Sequence, residues 1–498
     1  MNVMRGLDHS FDQMGNAVNK PARVSGLLSK KKGVRAPEIV ATGVFLLGLG
    51  LTYASLTGDT PSALTRYAAV GTGISLALSM LIELNQRWEN LLRADIVGLF
   101  ALYFLIFVEF LFPQPYFDAM VGSPQKIERG IDICLCAFAA LSIGRHCVSQ
   151  RVRPWRFVDM DMPVSILLFL FWISFALGYF HMLLAVNFNP IAMISHFLDP
   201  RFEVPWGRAQ YGDAHALLYE LGATLYLVPP LAGLILGRGR IRSTHNVILV
   251  VLALLLTLFY GFANGTRNLI FAYVVTFMVS YFYASSASKW KIIILSAIGA
   301  AILALSTIYG VRFRDVGLGN YLKGAREDRA AFEAGLHVDY NLYVVSELAT
   351  IFPGYVNYIG WDGLIWFVAR PIPRVLWPGK PLGANVAAEN VVQSEGASLS
   401  CTFVGESYMV AGLAGVIVTA FGIGMLARWR TKKVFSTHSD LGIVIYGSGF
   451  FAVAITMRSV YALPVAILPT IFLATTSYWM TRRLPKWGLL RQFQRSET

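Results

Sequence analysis

Charged side chains are scarce in this chain. They make up 14% of its 498 residues, where soluble domains carry about a quarter. With 55% hydrophobic residues and a mean hydropathy of +0.55, most of the chain is solvated by lipid. Cysteine is nearly absent as well. Cys134 and Cys136 lie inside an apolar run, Cys147 lies at its end, and Cys401 stands in a polar stretch. No CxxC spacing occurs, so neither a disulfide nor a cysteine metal site is expected. There is no Walker motif, no GxGxxG between strand and helix, no HExxH and no GxSxG elbow. The eight histidines are scattered. Without a nucleotide site or metal motif, any reaction here draws on an activated substrate or on a gradient, and no cofactor is expected.

Apolar runs are abundant. A spanning helix needs about 20 mostly apolar residues. Twelve stretches satisfy this, near 39–56, 63–84, 95–113, 129–148, 162–186, 215–237, 245–263, 267–285, 291–310, 403–427, 440–457 and 460–480. The expectation is an all-α, polytopic membrane protein. Residues 1–37 read as a basic cytosolic tail, for they lack the apolar core of a signal peptide. Residues 38–310 hold spans one to nine, 311–402 form one large outer region, 403–480 hold the last three spans, and 481–498 form a second basic tail.

The net charge of +13 does not point to nucleic acid, because the basic residues sit in short tufts at span ends. Twenty-seven of the 42 fall on one side of the alternation, including Arg87, Arg93, the Arg145 to Arg156 group, Arg238, Arg240, Arg242 and Arg428 to Lys433. Acidic residues divide the other way. By the positive-inside rule both termini are cytoplasmic and 311–402 faces outward. Three places depart from plain spans. Pro229–Pro230 fall deep in the sixth run, where they bend or interrupt a helix. Asn187 to Pro200 is too short to cross and reads as interfacial. In the outer region, Asn320 to Gly335 reads as a solvated helix, Val338 to Ile351 as a helix with one face on the spans, and Trp361 to Arg370 as a headgroup-layer helix.

Several side chains invite chemistry. Arg267 heads the eighth span on the side where arginine is sparse. It is either a fixed cation for a phosphate-bearing headgroup or a snorkelling helix-end residue. The run Arg370–Pro–Ile–Pro–Arg374–Val–Leu–Trp377–Pro–Gly–Lys380–Pro381 places three cations on a proline-stiffened backbone. That suits a diphosphate clamp, with a basic loop attracted to anionic lipid as the plainer alternative. Glu406 is either a general base or the partner of an arginine. Arg458 is the lone charge of the last outer turn. Glu220 reads as an intramembrane carboxylate, Glu109 as one that snorkels, and His337 as a loop histidine or proton shuttle.

Gly265–Thr266–Arg267, the RPIPRVLWPGKP run and GESYMVAGLAG entering the next span resemble the O-antigen and exopolysaccharide repeat-unit polymerases. The likeness covers roughly Gly265 to Gly424. It implies a GT-C-like glycosyltransferase of the bacterial inner membrane, acting at the periplasmic face on polyprenyl-diphosphate-linked oligosaccharides. It also implies partners in the same pathway, a flippase and a chain-length regulator. The resemblance gives Arg267, Arg370 and Arg374 to the diphosphates. Lys380 and Arg458 are added as further cations and Glu406 as the base, on the chemistry of the residues. An earlier arginine loop found in some members matches Arg201 and Arg208 only loosely. A ligase transferring finished glycan, and a lipid-linked-oligosaccharide flippase, remain alternatives.

Overall fold

The computed structural model describes residues 36–483 apart from 87–89, 91, 149–157, 202, 207–217, 219, 242, 286–288, 315, 325–339, 373–375, 378, 381–399 and 436–438. Every regular element among the described residues is helical. In chain order these are α1 (Ala36–Ala54), α2 (Pro61–Gln86), α3 (Ala94–Ile106), α4 (Phe117–Val121), α5 (Pro124–Gly144), α6 (Val164–Ala185) and α7 (Pro190–His196). Then come α8 (Val228–Arg238), α9 (Thr244–Ala263), α10 (Arg267–Ala284), α11 (Lys289–Arg314), α12 (Leu318–Leu322), α13 (Asn341–Ile351) and α14 (Trp361–Ala369). The last are α15 (Thr402–Phe435), α16 (Asp440–Ser448), α17 (Phe450–Arg458), α18 (Leu463–Ala466) and α19 (Leu468–Arg483). Each of the twelve apolar stretches carries helix, and seven helical stretches are long and apolar enough to cross a membrane. The chain is an all-helical, polytopic membrane protein.

Two apolar cores organise these helices. One is built from α1 to α5 with α13 and α15, the other from α6 to α10 with α16 and α19. Helix pairs approach closely where glycine removes the side chain, as is usual in lipid. A Cβ on Gly144 of α5 would lie 2.2 Å from the Phe421 carbonyl, and one on Gly424 of α15 would lie 2.2 Å from that of Leu141. Backbone is therefore packed on backbone along α5 and α15.

The basic residues at one end of the bundle are not solvated tufts. Arg93 and Arg145 are each 1% exposed, and Arg428 is 9% exposed. Arg93 reaches Glu83 at 2.9 Å, Glu38 at 3.1 Å and Asp95 at 2.5 Å. Arg145 reaches Glu83 at 2.9 Å, and Arg428 joins Glu38. Three cations and three carboxylates thus balance inside a space bounded by α1, α2, α3, α15 and the end of α5. A further buried carboxylate, Asp440, accepts from Arg238 at 2.8 Å and Arg240 at 2.6 Å. Snorkelling fails as a description here because each charge finds its counter-ion inside the protein, which offsets the cost of leaving water.

Other expectations change too. Pro229–Pro230 open α8 directly after a 3-10 turn, Gly222–Leu227, instead of bending a continuous span. At a helix start the missing N–H has no helical partner to lose. Glu220 is exposed ahead of that turn. Glu109 is fully buried, not snorkelling. Its carboxylate accepts from the Tyr340 N–H at 3.4 Å, while the Tyr340 hydroxyl donates to Gln114 at 2.9 Å. Burial, with Glu109 alongside, pushes the Tyr340 phenol up to about 12, so it stays a donor. Beyond it, α13 lies inside the first core with Leu342, Val344, Val345 and Leu348 all fully buried, so more than one face meets the spans. Asn189 caps α7 by accepting from Ile191 and Ala192, and Ile191 is 79% exposed, as suits an interfacial helix. Of the expected solvated helix Asn320 to Gly335, residues 325–335 lie outside the described residues.

Replacing Arg93 by Ala leaves Glu83, Asp95 and Glu38 short of one counter-charge in a buried space. Such a change costs about 3–5 kcal/mol. The expected outcome is a marked fall in thermal midpoint and in monodisperse protein on size exclusion. An Arg93→Ala variant as stable as the parent would show that the network carries no stability.

Candidate functional site at two interrupted helices

Helix α15 is not one rod. Ala411 and Gly412 leave helical geometry, Gly412 at φ 61° and ψ −149°. That left-handed φ suits glycine, and a Cβ there would come within 2.6 Å of the Tyr358 hydroxyl. The expected tenth span is thus two helices that meet at a kink. An interrupted helix leaves carbonyls without helical donors. Here the outer chain supplies them: Ile359 N–H donates to Met409 at 2.9 Å, and Gly360 N–H to Val410 at 3.0 Å. The segment leading into α14 is therefore stitched to the break.

Those bonds fix α14. Its Gly363 sits where a Cβ would meet Val410 and the Tyr461 hydroxyl, at 2.7 and 2.8 Å. Its other face is left uncovered, with Trp361 79% exposed and Leu364, Ile365 and Val368 also exposed. Such a face belongs against the acyl–headgroup boundary. Arg370 ends α14, and its carbonyl accepts from Lys380 Nζ at 2.9 Å. The same ammonium donates to the Ile372 carbonyl at 2.9 Å and lies 5.2 Å over the Trp366 ring. Lys380 is thus a strut closing the proline-rich loop onto the helix C-terminus, where a cation is favoured. Two of its three donors serve the loop's own backbone.

Glu406 lies just over one turn before the break in α15 and is half-buried. One carboxylate oxygen accepts from the Ser459 hydroxyl at 2.5 Å, the other from the Val460 N–H at 2.6 Å. It therefore caps the 3-10 turn Val460–Ala462 that follows α17, satisfying donors that a turn start leaves open. The Arg370 charge acts on this carboxylate. Arg458 closes α17 one residue before Ser459. The structure thus brings Glu406 and Arg370 together, ties Lys380 to them through the Arg370 carbonyl, and puts Arg458 next in the chain to the Ser459 that Glu406 holds. Arg374 and the Arg267 side chain lie outside the described residues, as do His337 and Arg208. The Arg267 backbone opens α10, and Arg201 stands in the turn after α7.

One cation of this site had no sequence signal beyond its position. Arg129, in the second turn of α5, acts electrostatically on Tyr408, whose hydroxyl bonds that of Tyr358. The rings of Tyr358 and Tyr408 meet edge to face at 6.2 Å. The turn between α16 and α17 at Gly449 lies towards the other end of α15. There Arg430 donates to the carbonyls of Ile445 at 3.0 Å, Tyr446 at 2.6 Å and Gly449. The expected eleventh span thus runs on as one apolar stretch through a single turn residue, with Gly449 N–H still donating to Ile445 and Val453 N–H to Gly449, and the guanidinium adds to these bonds.

Chemically, the site offers a carboxylate under the charge of one guanidinium, Arg370, beside a helix with an exposed apolar face. Such a place attracts an anion that carries a hydrocarbon tail. No family model, curated protein or solved structure matches the chain.

Two variants separate the strut from the cap. Lys380→Met removes both carbonyl bonds, and limited proteolysis is expected to cut between residues 370 and 380 faster than in the parent. Glu406→Ala orphans the Ser459 and Val460 donors and is expected to cost about 1–3 kcal/mol, read as a lower thermal midpoint. Glu406→Gln keeps one acceptor and is expected to lose less. Equal losses for the two would argue against the capping role.

Proposed function

We propose that this protein is a membrane glycosyltransferase that polymerises polyprenyl-diphosphate-linked oligosaccharide repeat units, as in O-antigen or exopolysaccharide synthesis. The observation that carries the reading is the Arg370 charge acting on Glu406 beside an interrupted helix, with Lys380 bracing the loop that follows Arg370. In this reading the twelve apolar stretches are twelve spans of a GT-C-like fold in the bacterial inner membrane. Both termini are cytoplasmic, and residues 311–402 face the periplasm.

The chemistry follows from the charges. As the sugar–phosphate bond breaks, negative charge grows on the departing diphosphate, and fixed guanidinium groups stabilise it. Arg370 and Arg458, with Arg267, Arg374 and Arg129, supply that field. Glu406 accepts the proton of the attacking hydroxyl once an acceptor sugar displaces the Ser459 hydroxyl from it. No nucleotide is needed, because the leaving group is already activated. The uncovered face of α14 and the break at Gly412 supply an opening to both lipid and water.

The interrupted helices favour one other reading. Discontinuous spans at a binding site are also the mark of secondary transporters, so a lipid-linked-oligosaccharide flippase is the second assignment.

Reconstitution in liposomes with a lipid-diphosphate repeat unit tests both. Polymerisation predicts a ladder of products on a gel, reduced about 10²-fold or more when Arg370 becomes Ala, as for loss of one stabilising group in a transition state. Transport without any ladder would replace this assignment with the flippase, and neither outcome would dismiss both.

A further inference from the structure

A cavity of about 190 Å3 lies between α15, α16, α17 and α19, away from Glu406. Its walls include Ile423 and Leu426 of α15, Ile445 of α16, Val453 of α17, and Leu463 and Ile467 beyond it. The polar groups along it are occupied elsewhere. The Thr456 hydroxyl donates to the Ala452 carbonyl at 2.5 Å, and those of Ser448 and Thr470 bond each other at 3.0 Å. Arg430 donates to the carbonyls at the α16–α17 turn. The space is therefore walled by hydrocarbon, where neither water nor a sugar would find partners.

Its rim differs. Trp429 and Lys433 both line it, with the Lys433 ammonium 5.7 Å over the Trp429 ring. Leu426 is 45% exposed and Ile467 37% exposed, so the cavity opens sideways between helices. A dry cavity of about 150 Å3 holds one benzene, so this one takes part of a single chain, not a headgroup. Basic pockets between spanning helices receive anionic headgroups, and tryptophan settles at headgroup level.

We propose that the groove holds one acyl chain of an anionic glycerophospholipid, with its phosphate at Lys433. The lipid fills the gap between α15 and α17 and braces the half of α15 that follows Gly412. This site is separate from the glycan-transfer reading and stands or falls without it.

Native mass spectrometry of the full chain, offered equal phosphatidylglycerol and phosphatidylcholine, is the test. One phosphatidylglycerol is expected to be retained in preference. Lys433→Gln is expected to abolish the preference, and Ile467→Trp, which fills the groove, to abolish retention. On the unsubstituted protein, phosphatidylglycerol bearing a photoreactive acyl chain is expected to label Ile423, Leu426 or Ile467. Equal retention of the two lipids, a preference that survives Lys433→Gln, or labelling confined to other segments would each overturn the proposal. Should the tryptophan variant not fold, the labelling pattern decides.

Discussion

The arrangement depends first on a charge balance in a dry place. Arg93, Arg145 and Arg428 face Glu38, Glu83 and Asp95 where α1, α2, α3, α5 and α15 converge. Each charge alone would be costly in that environment. Together they hold five segments in one register, because an ion pair between buried groups tolerates little displacement before the desolvation cost returns. Thr431 adds to this by accepting from the Ala94 N–H at 3.1 Å. The end of α15 that carries Arg428 is thus anchored on several sides, and the other end of the same helix carries Glu406.

The second constraint is the satisfaction of backbone in lipid. A broken spanning helix is tolerated only when its loose carbonyls and N–H groups find partners. The chain meets this with backbone donors from Ile359 and Gly360 at the Gly412 break, with a guanidinium from Arg430 at the Gly449 turn, and with the Glu406 carboxylate at the turn that follows α17. The solution at Gly412 has a by-product. It holds α14, whose Trp361, Leu364, Ile365 and Val368 are exposed, near the turn that Glu406 caps. The same devices that keep the helices intact therefore assemble the place where an anionic lipid substrate would meet cations.

Much of the helical framework was legible in the sequence. Each of the twelve apolar runs carries helix, and the aromatic segment expected as a helix over Trp361 to Arg370 is helical from Trp361 to Ala369. What was not legible was pairing. Arg428 and Glu38 are 390 residues apart, and an arginine at a span end looks the same whether it meets lipid headgroups or a buried glutamate. Glu109 misled for that reason. The break at Gly412 was hidden because it is one glycine among many. Pro229–Pro230 did mark an interruption, where a 3-10 turn gives way to an α-helix. Within the site, the chemistry of Arg370, Lys380 and Glu406 was visible as residue type, but the part Lys380 plays, binding its own loop, needed coordinates.

The guanidinium of Arg430, on a neighbouring helix, holds three carbonyls around Gly449. That attachment couples α15 to α16–α17, which no longer slide past one another as separate rods. Compliance is left to Gly412, whose φ only a residue without a side chain adopts at ease. Any widening of the loop-bearing mouth would pivot there, leaving the opposite end of the bundle stationary.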